Sequence, residues 1–323
     1  MKFKLLFTTL LLVLTQPVFA TSPIQNPTTS FVISDYAKTK YPIVLSHGLF
    51  GFNKLGTEAF GLDYWYQIPQ DLARNGANVW VTRQSTANTS EFRGEQLLAE
   101  VQDILAITGA QKVNLIGHSH GSQTVRYVAG VLPANIASVS TIGGPAKGAP
   151  LADLIYKTLA GTPLEAPIAT IFNVAMNFIT IGQFDDPQKY PMNSVGAAYS
   201  LSTEGAGKFN AIFPAGVPTT ACGQGESSVN GVRYYSWSGA SPLTNPLDPS
   251  DYGLSLTSVF SGKNNDGLVP SCSSHLGTVI RDNYVWNHLD EVNQILGFDL
   301  FLHKTPYPSL DNMPIVSKVK IYN

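Results

Sequence analysis

Val113-Asn114-Leu115-Ile116-Gly117-His118-Ser119-His120-Gly121 is the stretch of sequence that decides the fold. Its apolar first half predicts a short buried strand, and a helical pattern from Ser122 to Leu132 follows it and ends at Pro133. A serine between two glycines, placed between a strand and a helix, occupies a tight turn that holds its hydroxyl above the carboxyl end of a sheet. An ordinary glycine-rich turn is the alternative, but this context favours Ser119 as a candidate nucleophile.

Strands and helices alternate on both sides of this stretch. We predict helices over residues 64–75 and 93–108, and strands over residues 41–46, 79–82, 137–142 and 233–237. Gly76 and Gly109 follow the two helices, which is the usual position of a helix-ending glycine. The alternation predicts an α/β protein with a parallel sheet and crossover helices.

The N-terminal residues have the pattern of a secretory signal peptide. Lys2 and Lys4 precede an apolar run from Leu5 to Leu14, and Val18-Phe19-Ala20 fits a small-residue cleavage site. The apolar run is too short for a helix that spans a bilayer of about 30 Å. We therefore expect a secreted protein with a signal peptide over residues 1–20, a loose polar leader over residues 21–40 and one domain over residues 41–323.

Charge and cysteine content narrow the classes of partner. Charged residues make up 13% of the chain, and the net charge is −2. Because the sequence has no basic run, we expect neither nucleic acid nor an anionic membrane surface as a partner. The two cysteines, Cys222 and Cys272, are an even number in an exported chain, which favours a disulfide over free thiols.

A second glycine-rich turn follows the strand over residues 41–46. In His47-Gly48-Leu49-Phe50-Gly51 the glycines let backbone N–H groups turn toward whatever lies above the sheet. The amides of Leu49 and His120 are therefore candidate donors of an oxyanion hole. Without Ser119 downstream, a plain strand-to-loop turn would be the preferred interpretation.

The segment from Glu165 to Asp185 has no charged residue between its ends. It predicts a helix with a wide apolar surface and one thin polar stripe, formed by Thr170, Asn173, Asn177 and Thr180. An interior helix fits this pattern. A mobile lid within the region of about residues 150–200, which exposes its apolar surface to lipid, fits it too.

A hydrolase triad of this type needs an acid after the nucleophile and a histidine after the acid. Asp266, in Asn264-Asn265-Asp266-Gly267, supplies the acid, although most Asp-Gly pairs in loops are only turns. His288 precedes a predicted short helix from Glu291 to Leu296 and is the preferred base. His275 and His303 stay open as alternatives.

Several of these motifs together resemble the secreted bacterial triacylglycerol lipases of the Pseudomonas and Burkholderia type. The resemblance runs from about Tyr41 to Phe298 and rests on the segments 41–48, 93–97, 113–121, 229–232, 234–239, 265–269 and 287–294. It implies an α/β-hydrolase fold with helices on both faces of the sheet and a helical lid. It also implies a triad of Ser119, Asp266 and His288, with an oxyanion hole at the amides of Leu49 and His120.

The same resemblance implies one structural Ca²⁺ and a disulfide between Cys222 and Cys272. Ca²⁺ prefers oxygen ligands, and the implied ligands are Asp248, Asp290, Gln294 and Phe298. The ion would fix the loop that aims His288 without touching substrate.

The chain also departs from the family pattern. Leu49 stands where relatives often carry methionine, which matters little if only the amide acts, and Ala146 stands where histidine is usual. Residues 160–200 match poorly, so the resemblance does not fix the length of the lid.

The sequence therefore predicts a secreted serine hydrolase that cleaves ester bonds of triacylglycerols at a lipid–water interface through an acyl-enzyme intermediate. The expected partners are the ester substrate, the lipid surface that the lid touches and, as the resemblance suggests, a dedicated lipase foldase. We expect a monomer that leaves the cell through the periplasm. Two alternatives stay open: a carboxylesterase for short soluble esters, and a secreted lipid-binding protein without activity.

Overall fold

The strand that precedes Ser119 lies inside a sheet of seven strands. The computed structural model describes residues 24–27, 29, 31–56, 61–159, 161–163, 165 and 188–294. Its strands are β1 (Ile43–Ser46), β2 (Lys54–Gly56), β3 (Gly61–Asp63), β4 (Val79–Val81), β5 (Val113–His118), β6 (Ile136–Ile142), β7 (Ser228–Val229), β8 (Val232–Gly239) and β9 (Thr278–Tyr284). The sheet order is β4-β1-β5-β6-β8-β7, with β9 also paired to β8. All pairs in this sheet are parallel except β7 with β8, and β2 and β3 form a separate antiparallel pair.

Helices cover both faces of the sheet. The described helices are α1 (Ile68–Arg74), α2 (Ser90–Thr108), α3 (Gly121–Val131), α4 (Pro150–Leu159), α5 (Ser194–Leu201), α6 (Thr203–Ile212) and α7 (Pro249–Ser258). Val44 of β1 belongs to an apolar core with residues of α2 and α3, whereas its neighbour Leu45 belongs to a second core with residues of α1. Because successive residues of a strand point to opposite faces, the sheet is buried on both sides, and the predicted α/β architecture is confirmed.

Two helices begin at other residues than the sequence pattern predicts. The first begins at Ile68 rather than at residue 64, because Gln67 adopts a left-handed conformation with φ of 60° and Pro69 then starts the helix. The second begins at Ser90 rather than at residue 93, since the Thr89 side chain caps it by accepting the amide of Phe92. Local backbone conformation and proline set the first start and a side-chain cap sets the second, rather than the apolar period.

The end of the described chain also differs from the prediction. In place of a helix from Glu291 to Leu296, the structure has one short 3-10 turn over Asp290–Val292. Asn293 follows in a left-handed conformation with φ of 60°, which ends the turn. Residues 295 and 296 lie outside the described residues.

The N-terminal segment pairs with the edge of the sheet. Gln25 and Val81 exchange two backbone hydrogen bonds of 2.9 and 2.8 Å in an antiparallel bridge on β4. This bridge gives hydrogen-bond partners to part of an edge strand that would otherwise face solvent. The predicted signal peptide, residues 1–20, lies outside the described residues.

The carboxyl ends of the parallel strands bring the predicted site residues to one edge of the sheet. β1 ends just before His47 and Gly48, β5 ends just before Ser119, and β9 ends four residues before His288. This edge is where α/β sheets place their binding sites. Within the described residues, no helix has both the length and the apolar character needed to cross a bilayer.

The turn between β5 and α3 has no room for larger side chains. A Cβ atom on Gly117 would overlap the backbone carbonyl of Gly121, and one on Gly121 would lie 2.7 Å from the carbonyl oxygen of His47. Both obstacles are backbone atoms, so they cannot move aside as a flexible side chain would. Gly117 is therefore required by the tightness of the turn itself, and Gly121 by the contact between the turn and the end of β1.

We expect Gly117→Ala to lower the free energy of unfolding by at least about 3 kcal/mol, because the added methyl group meets fixed backbone. Chemical unfolding followed by circular dichroism measures this loss. The matched control is Gly207→Ala in α6, where a new Cβ has no neighbour within 4 Å. That variant should be neutral or up to about 1 kcal/mol more stable, and equal losses in both variants would contradict the steric argument.

Candidate active site

Ser119 occupies a strained position directly after β5. Its φ of 55° lies in the left-handed region, and its amide donates to the carbonyl of Ile142 at the end of β6, at 2.9 Å. The adjacent loop approaches it closely, since a Cβ atom on Gly48 would lie 2.6 Å from the Ser119 Cβ. A strained serine fixed above the sheet is the geometry of a nucleophile elbow.

Asp266 and His288 form a directly bonded pair. The Nδ1 of His288 lies 2.7 Å from Oδ2 of Asp266, and the amide of His288 donates to the carbonyl of Asp266 at 2.8 Å. The other carboxylate oxygen of Asp266 accepts the amides of Leu268 and Val269 at 2.9 and 2.8 Å. Because Nδ1 donates its proton to Asp266, Nε2 of His288 is left as the acceptor that a general base needs.

The ring of His288 also lies beside the serine turn. Its centroid is 4.6 Å from that of His118, the residue before Ser119, and His288 and Ser119 line the same cavity. His275 instead contacts Asp282 at 3.0 Å and the carbonyl of Gly223 at 3.0 Å. His303 lies outside the described residues. The described geometry thus brings together Ser119, Asp266 and His288, and it places His275 in a separate cluster.

The peptide between Gly48 and Leu49 has a fixed orientation. Its carbonyl oxygen accepts Nδ1 of His47 at 2.9 Å and the amide of Gly51 at 3.2 Å. In a trans peptide the N–H points away from the carbonyl, so the Leu49 amide faces away from His47. Among the described residues, the amides of Leu49 and His120 have no hydrogen-bond acceptor, which leaves both available to an oxyanion.

Buried polar side chains hold the loop that carries Leu49. Arg93, on α2, is fully buried and donates to the carbonyls of His47, at 2.5 Å, and of Ser85. The amide of Gln84 donates to Nε2 of His47 at 3.2 Å, so the His47 proton is on Nδ1. Burial, and next the charge of Arg93, lowers the pKa of His47 well below its usual value. A neutral His47 with a defined tautomer therefore supports the loop.

Tyr64 connects this loop to the serine turn. Its hydroxyl accepts the amide of Gly48 at 3.0 Å and lies 2.6 Å from Nδ1 of His118. Burial raises the pKa of Tyr64, so the phenol stays protonated. The two turns that carry the candidate oxyanion donors and the candidate nucleophile are thus bonded through one side chain.

Glu291 is a buried acid that the sequence analysis did not single out. Its Oε1 accepts the amide of Gly239 at 2.6 Å, and its Oε2 lies 3.2 Å from Nε2 of His118 and 3.8 Å from Nδ1 of His288. Burial, and next the charge of Asp266, raises the pKa of Glu291 well above its usual value. Burial likewise lowers the pKa of His118. The contact between Glu291 and His118 is therefore a hydrogen bond between neutral groups.

His118, His288 and Glu291 each offer a possible metal-ligand atom, and in the described residues these atoms lie within 4.8 Å of one another. The nitrogen atoms of this group do not match the oxygen ligands that Ca²⁺ prefers. Each of the three side chains already has a hydrogen-bond partner in the site. The group is accounted for by these bonds without an ion.

The predicted Ca²⁺ ligands lie elsewhere, behind the base loop. Asp248 is buried at the start of α7, where its Oδ1 accepts the amide of Ser250 at 2.8 Å. No lysine, arginine or histidine among the described residues lies within salt-bridge distance of this carboxylate. A buried carboxylate without a cationic neighbour among the described residues is compatible with a bound cation such as Ca²⁺.

The remaining predicted ligands are partly described. Asp290 Oδ2 accepts the Thr244 hydroxyl at 2.8 Å and the amide of Asn287 at 2.9 Å. The side chain of Gln294 donates to the carbonyls of Asp63, at 2.8 Å, and of Tyr64. Phe298 lies outside the described residues.

A second buried aspartate near this site escaped the sequence analysis. Asp251 accepts the amides of Thr244 and Asn245, each at 2.6 Å, and Nδ2 of Asn287 at 2.6 Å. Asn287 directly precedes His288. The carboxylate of Asp251 therefore joins the start of α7 to the base loop through hydrogen bonds alone.

A cavity of about 370 Å³ lies above the sheet edge and contains Ser119 and His288 in its wall. Much of the rest of the wall is apolar and includes Leu49, Leu151, Ile155, Val195, Leu201 and Leu268. Four of these residues belong to α4 and α5, and all but Leu201 lie inside the predicted lid region of about residues 150–200. Glu165, the first residue of the predicted lid helix, lines the cavity, whereas residues 166–187 lie outside the described residues.

Cys222 and Cys272 are joined by a disulfide. The two cysteines are 50 residues apart in the sequence, and the bridge closes the loop between them. Asp266 lies inside this loop. Ser273, next to the bridge, accepts the amide of Lys147 at 3.3 Å and donates its hydroxyl to the carbonyl of Gly148. The bridge therefore restrains the segment that follows the candidate acid.

Comparison with known proteins identifies relatives over most of the chain. Residues 41–170 match the family of the alpha/beta hydrolase fold. A triacylglycerol lipase of Vibrio cholerae is 49% identical over 271 residues, which cover 84% of this chain and 85% of that protein. Triacylglycerol lipases of Pseudomonas fragi and Burkholderia plantarii are 39% and 38% identical and cover 81% of this chain, with 91% and 81% of their own lengths matched.

Solved structures support the fold. A lipase of Bacillus licheniformis in its mature form superimposes with a TM-score of 0.56 at 20% sequence identity, and it covers 83% of this chain and 91% of its own. At this identity the likeness shows the fold alone. Together with the sequence family it confirms the predicted α/β-hydrolase fold.

We expect Glu291→Gln to become more stable relative to wild type as the pH rises. A carboxyl whose folded pKa is raised contributes stability that is present below its unfolded pKa of about 4.3 and is lost as the pH rises through the folded pKa. The glutamine amide can keep both hydrogen bonds and does not titrate. Urea unfolding of both proteins at several pH values measures the difference, and a wild type that gains on the variant with rising pH would refute a neutral Glu291.

Proposed function

The chain belongs to the family of bacterial triacylglycerol lipases and is a carboxylic ester hydrolase, and from this premise we propose that it cleaves triacylglycerols at a lipid–water interface after secretion. The observation that carries the proposal is the position of strained Ser119 in one apolar cavity with His288, which is bonded to Asp266. An apolar wall suits acyl chains, and the polar groups lie where an ester carbonyl would react.

The proposed reaction is acyl transfer in two steps. His288 takes the proton of the Ser119 hydroxyl as the oxygen attacks the ester carbonyl, and the resulting imidazolium is stabilised by Asp266. The imidazolium then protonates the departing alcohol. Water, deprotonated by His288, then attacks the acyl-enzyme, and the imidazolium returns this proton to the Ser119 oxygen as its bond to the acyl group breaks and the fatty acid is released.

The oxyanion of each tetrahedral intermediate is bound by the amides of Leu49 and His120 in this proposal. Support comes from the fixed peptide before Leu49 and from the position of His120 at the start of α3. Losing one such donor typically costs 100- to 1,000-fold in rate, which is why the loop needs its buried supports.

The Ca²⁺ and the export route belong to the same proposal. Asp248 and Asp290, with oxygens of Gln294 and Phe298, would hold one Ca²⁺ that neutralises buried charge and keeps the loop before His288 in place. A disulfide suits an oxidising compartment such as the periplasm or the medium. Assistance by a dedicated foldase and a monomeric state remain part of the proposal.

The substrate class is tested by the rate of hydrolysis of tributyrin below and above its solubility limit. We expect a steep rise in rate once droplets form, because the proposed enzyme works on an interface. A carboxylesterase for soluble esters would instead saturate before that limit, and this result would overturn the interfacial proposal.

The control for this experiment is Ser119→Ala, which keeps the backbone of the turn but lacks the nucleophile. Its rate should fall by about a million-fold on both sides of the solubility limit while its circular dichroism spectrum stays unchanged. A fluorophosphonate should label the wild type and not the variant. Normal turnover by the variant would exclude the proposed site.

Removal of Ca²⁺ should lower the melting temperature and slow hydrolysis, because Asp248 and Asp290 would lose the ion that balances their charge. Calorimetry with EDTA, and after Ca²⁺ is added back, measures the effect. Mg²⁺ should not restore the loss, since it rarely accepts such a ligand set. A purified protein that holds no calcium and ignores EDTA would contradict this part of the proposal.

A further inference from the structure

An exposed apolar surface extends over α7 and the segments on either side of it. We call it the outer apolar face, and its members are Leu243, Leu247, Tyr252, Leu256, Val259 and Phe260. Leu247, Leu256 and Val259 are 73%, 71% and 70% exposed. Tyr252, Leu256 and Val259 follow each other at spacings of four and three residues, so they share one side of the helix. This helix therefore presents its apolar stripe to the outside.

No charged side chain is exposed anywhere from Leu243 to Gly262. The segment contains two charged residues, Asp248 and Asp251, and both are buried. Charged residues make up 13% of the whole chain, and charged side chains normally lie at the protein surface. The segment that carries the outer apolar face thus combines exposed apolar side chains with an absence of exposed charge.

Most hydroxyl groups around this face donate to acceptors within the chain. The hydroxyl of Tyr252 donates to the carbonyl of Pro246 at 2.7 Å, so even the polar tip of the exposed ring has a partner. Similar internal bonds are made by the hydroxyls of Ser250, Thr257, Ser258 and Ser261. The protons of these hydroxyls would keep their acceptors if the face left water.

The carbonyl groups at the end of α7 are also bonded. Nδ2 of Asn265 donates to the carbonyls of Ser258, at 3.3 Å, and of Gly262, at 2.6 Å. Free carbonyls at a helix end normally need water or a cap. An internal cap of this kind lets the helix end contact an apolar phase.

The inner side of α7 is bonded to the wall of the cavity. Leu254 packs against Gly267, whose added Cβ would lie 2.7 Å from that side chain, and Thr257 donates to the carbonyl of Gly267 at 2.8 Å. Ser261 donates to the carbonyl of Leu268, which lines the cavity. The helix α7 therefore carries the outer apolar face on one side and is hydrogen-bonded to the cavity wall on its other side.

We propose that the outer apolar face is a fixed docking surface for an uncharged lipid–water surface, separate from the predicted lid. The proposal rests on the lipase function proposed above. The segment from Leu243 to Gly262 has no exposed charge that would attract an anionic membrane, and most of its hydroxyl protons are already donated within the chain, so few donors remain for the polar rim of a protein interface. The face is apolar, and the helix that carries it is bonded on its inner side to the cavity wall, so that contact with neutral lipid would place the cavity close to the lipid.

The test is a double variant, Leu256→Gln with Val259→Gln, in the Ser119→Ala background so that no lipid is consumed. Partition onto triolein droplets, measured by centrifugal flotation, should weaken about tenfold or more, because two exposed side chains lose their apolar contact. Binding of the Ser119→Ala parent should change little between low and high salt, since no charge takes part.

The matched control is Ile107→Gln with Ile212→Gln, since these residues on α2 and α6 are 65% and 68% exposed. It should bind droplets like the parent. With Ser119 restored, both double variants should hydrolyse a dissolved ester at the wild-type rate. That result separates docking from an effect of α7 on the acid loop.

Several outcomes would overturn the proposal. Unchanged partition of the α7 variant, an equal loss in the control, or a slower reaction with the dissolved ester would each do so. Self-association of the parent that the α7 variant abolishes, with partition unchanged, would instead identify a second copy of the chain as the occupant. If the wild type binds droplets through α7 but does not hydrolyse them, the proposed function fails while the docking surface stands.

Discussion

The left-handed backbone at Ser119 is the constraint on which the rest of the site depends. A residue with φ of 55° can be held there only if its neighbours leave no alternative, and the contacts of Gly117 and Gly121 with surrounding backbone provide that confinement. The amide of Ser119 is bonded to β6, so the turn is fixed to the sheet on one side and to the helix on the other. Every other candidate group has to be placed relative to this one hydroxyl.

Two buried acids, Asp266 and Glu291, lie near His288, the candidate base. Their surroundings give the two acids different roles. Asp266 accepts hydrogen bonds from His288 and from two backbone amides, and these donors stabilise a negative charge on its carboxylate. Burial and the charge of Asp266 raise the pKa of Glu291, so the second acid bonds to His118 as a neutral group. A single negative charge beside His288 is enough to orient the imidazole without two carboxylates repelling each other.

Periodic patterns predicted the central strands and crossover helices well, because those elements bury regular apolar faces against the sheet. They failed for α7, since its apolar stripe faces outward and its core contacts are Leu254 and a buried aspartate. Order along the chain and family resemblance pointed to Ser119, Asp266 and His288, and geometry placed His275 in another cluster. Glu291 and Asp251 could not be found this way, because their roles arise from neighbours distant in sequence and from burial.

The bridge between Gln25 and Val81 matters for the colloidal behaviour of the protein. An unpaired strand edge can form backbone hydrogen bonds with other chains, and an exposed apolar surface promotes nonspecific association. A molecule that had both would precipitate, since one contact would hold two copies long enough for the other to form. The N-terminal segment occupies part of the β4 edge through the bridge at Gln25. The protein can therefore expose the outer apolar face with less tendency to form ordered aggregates through that strand edge.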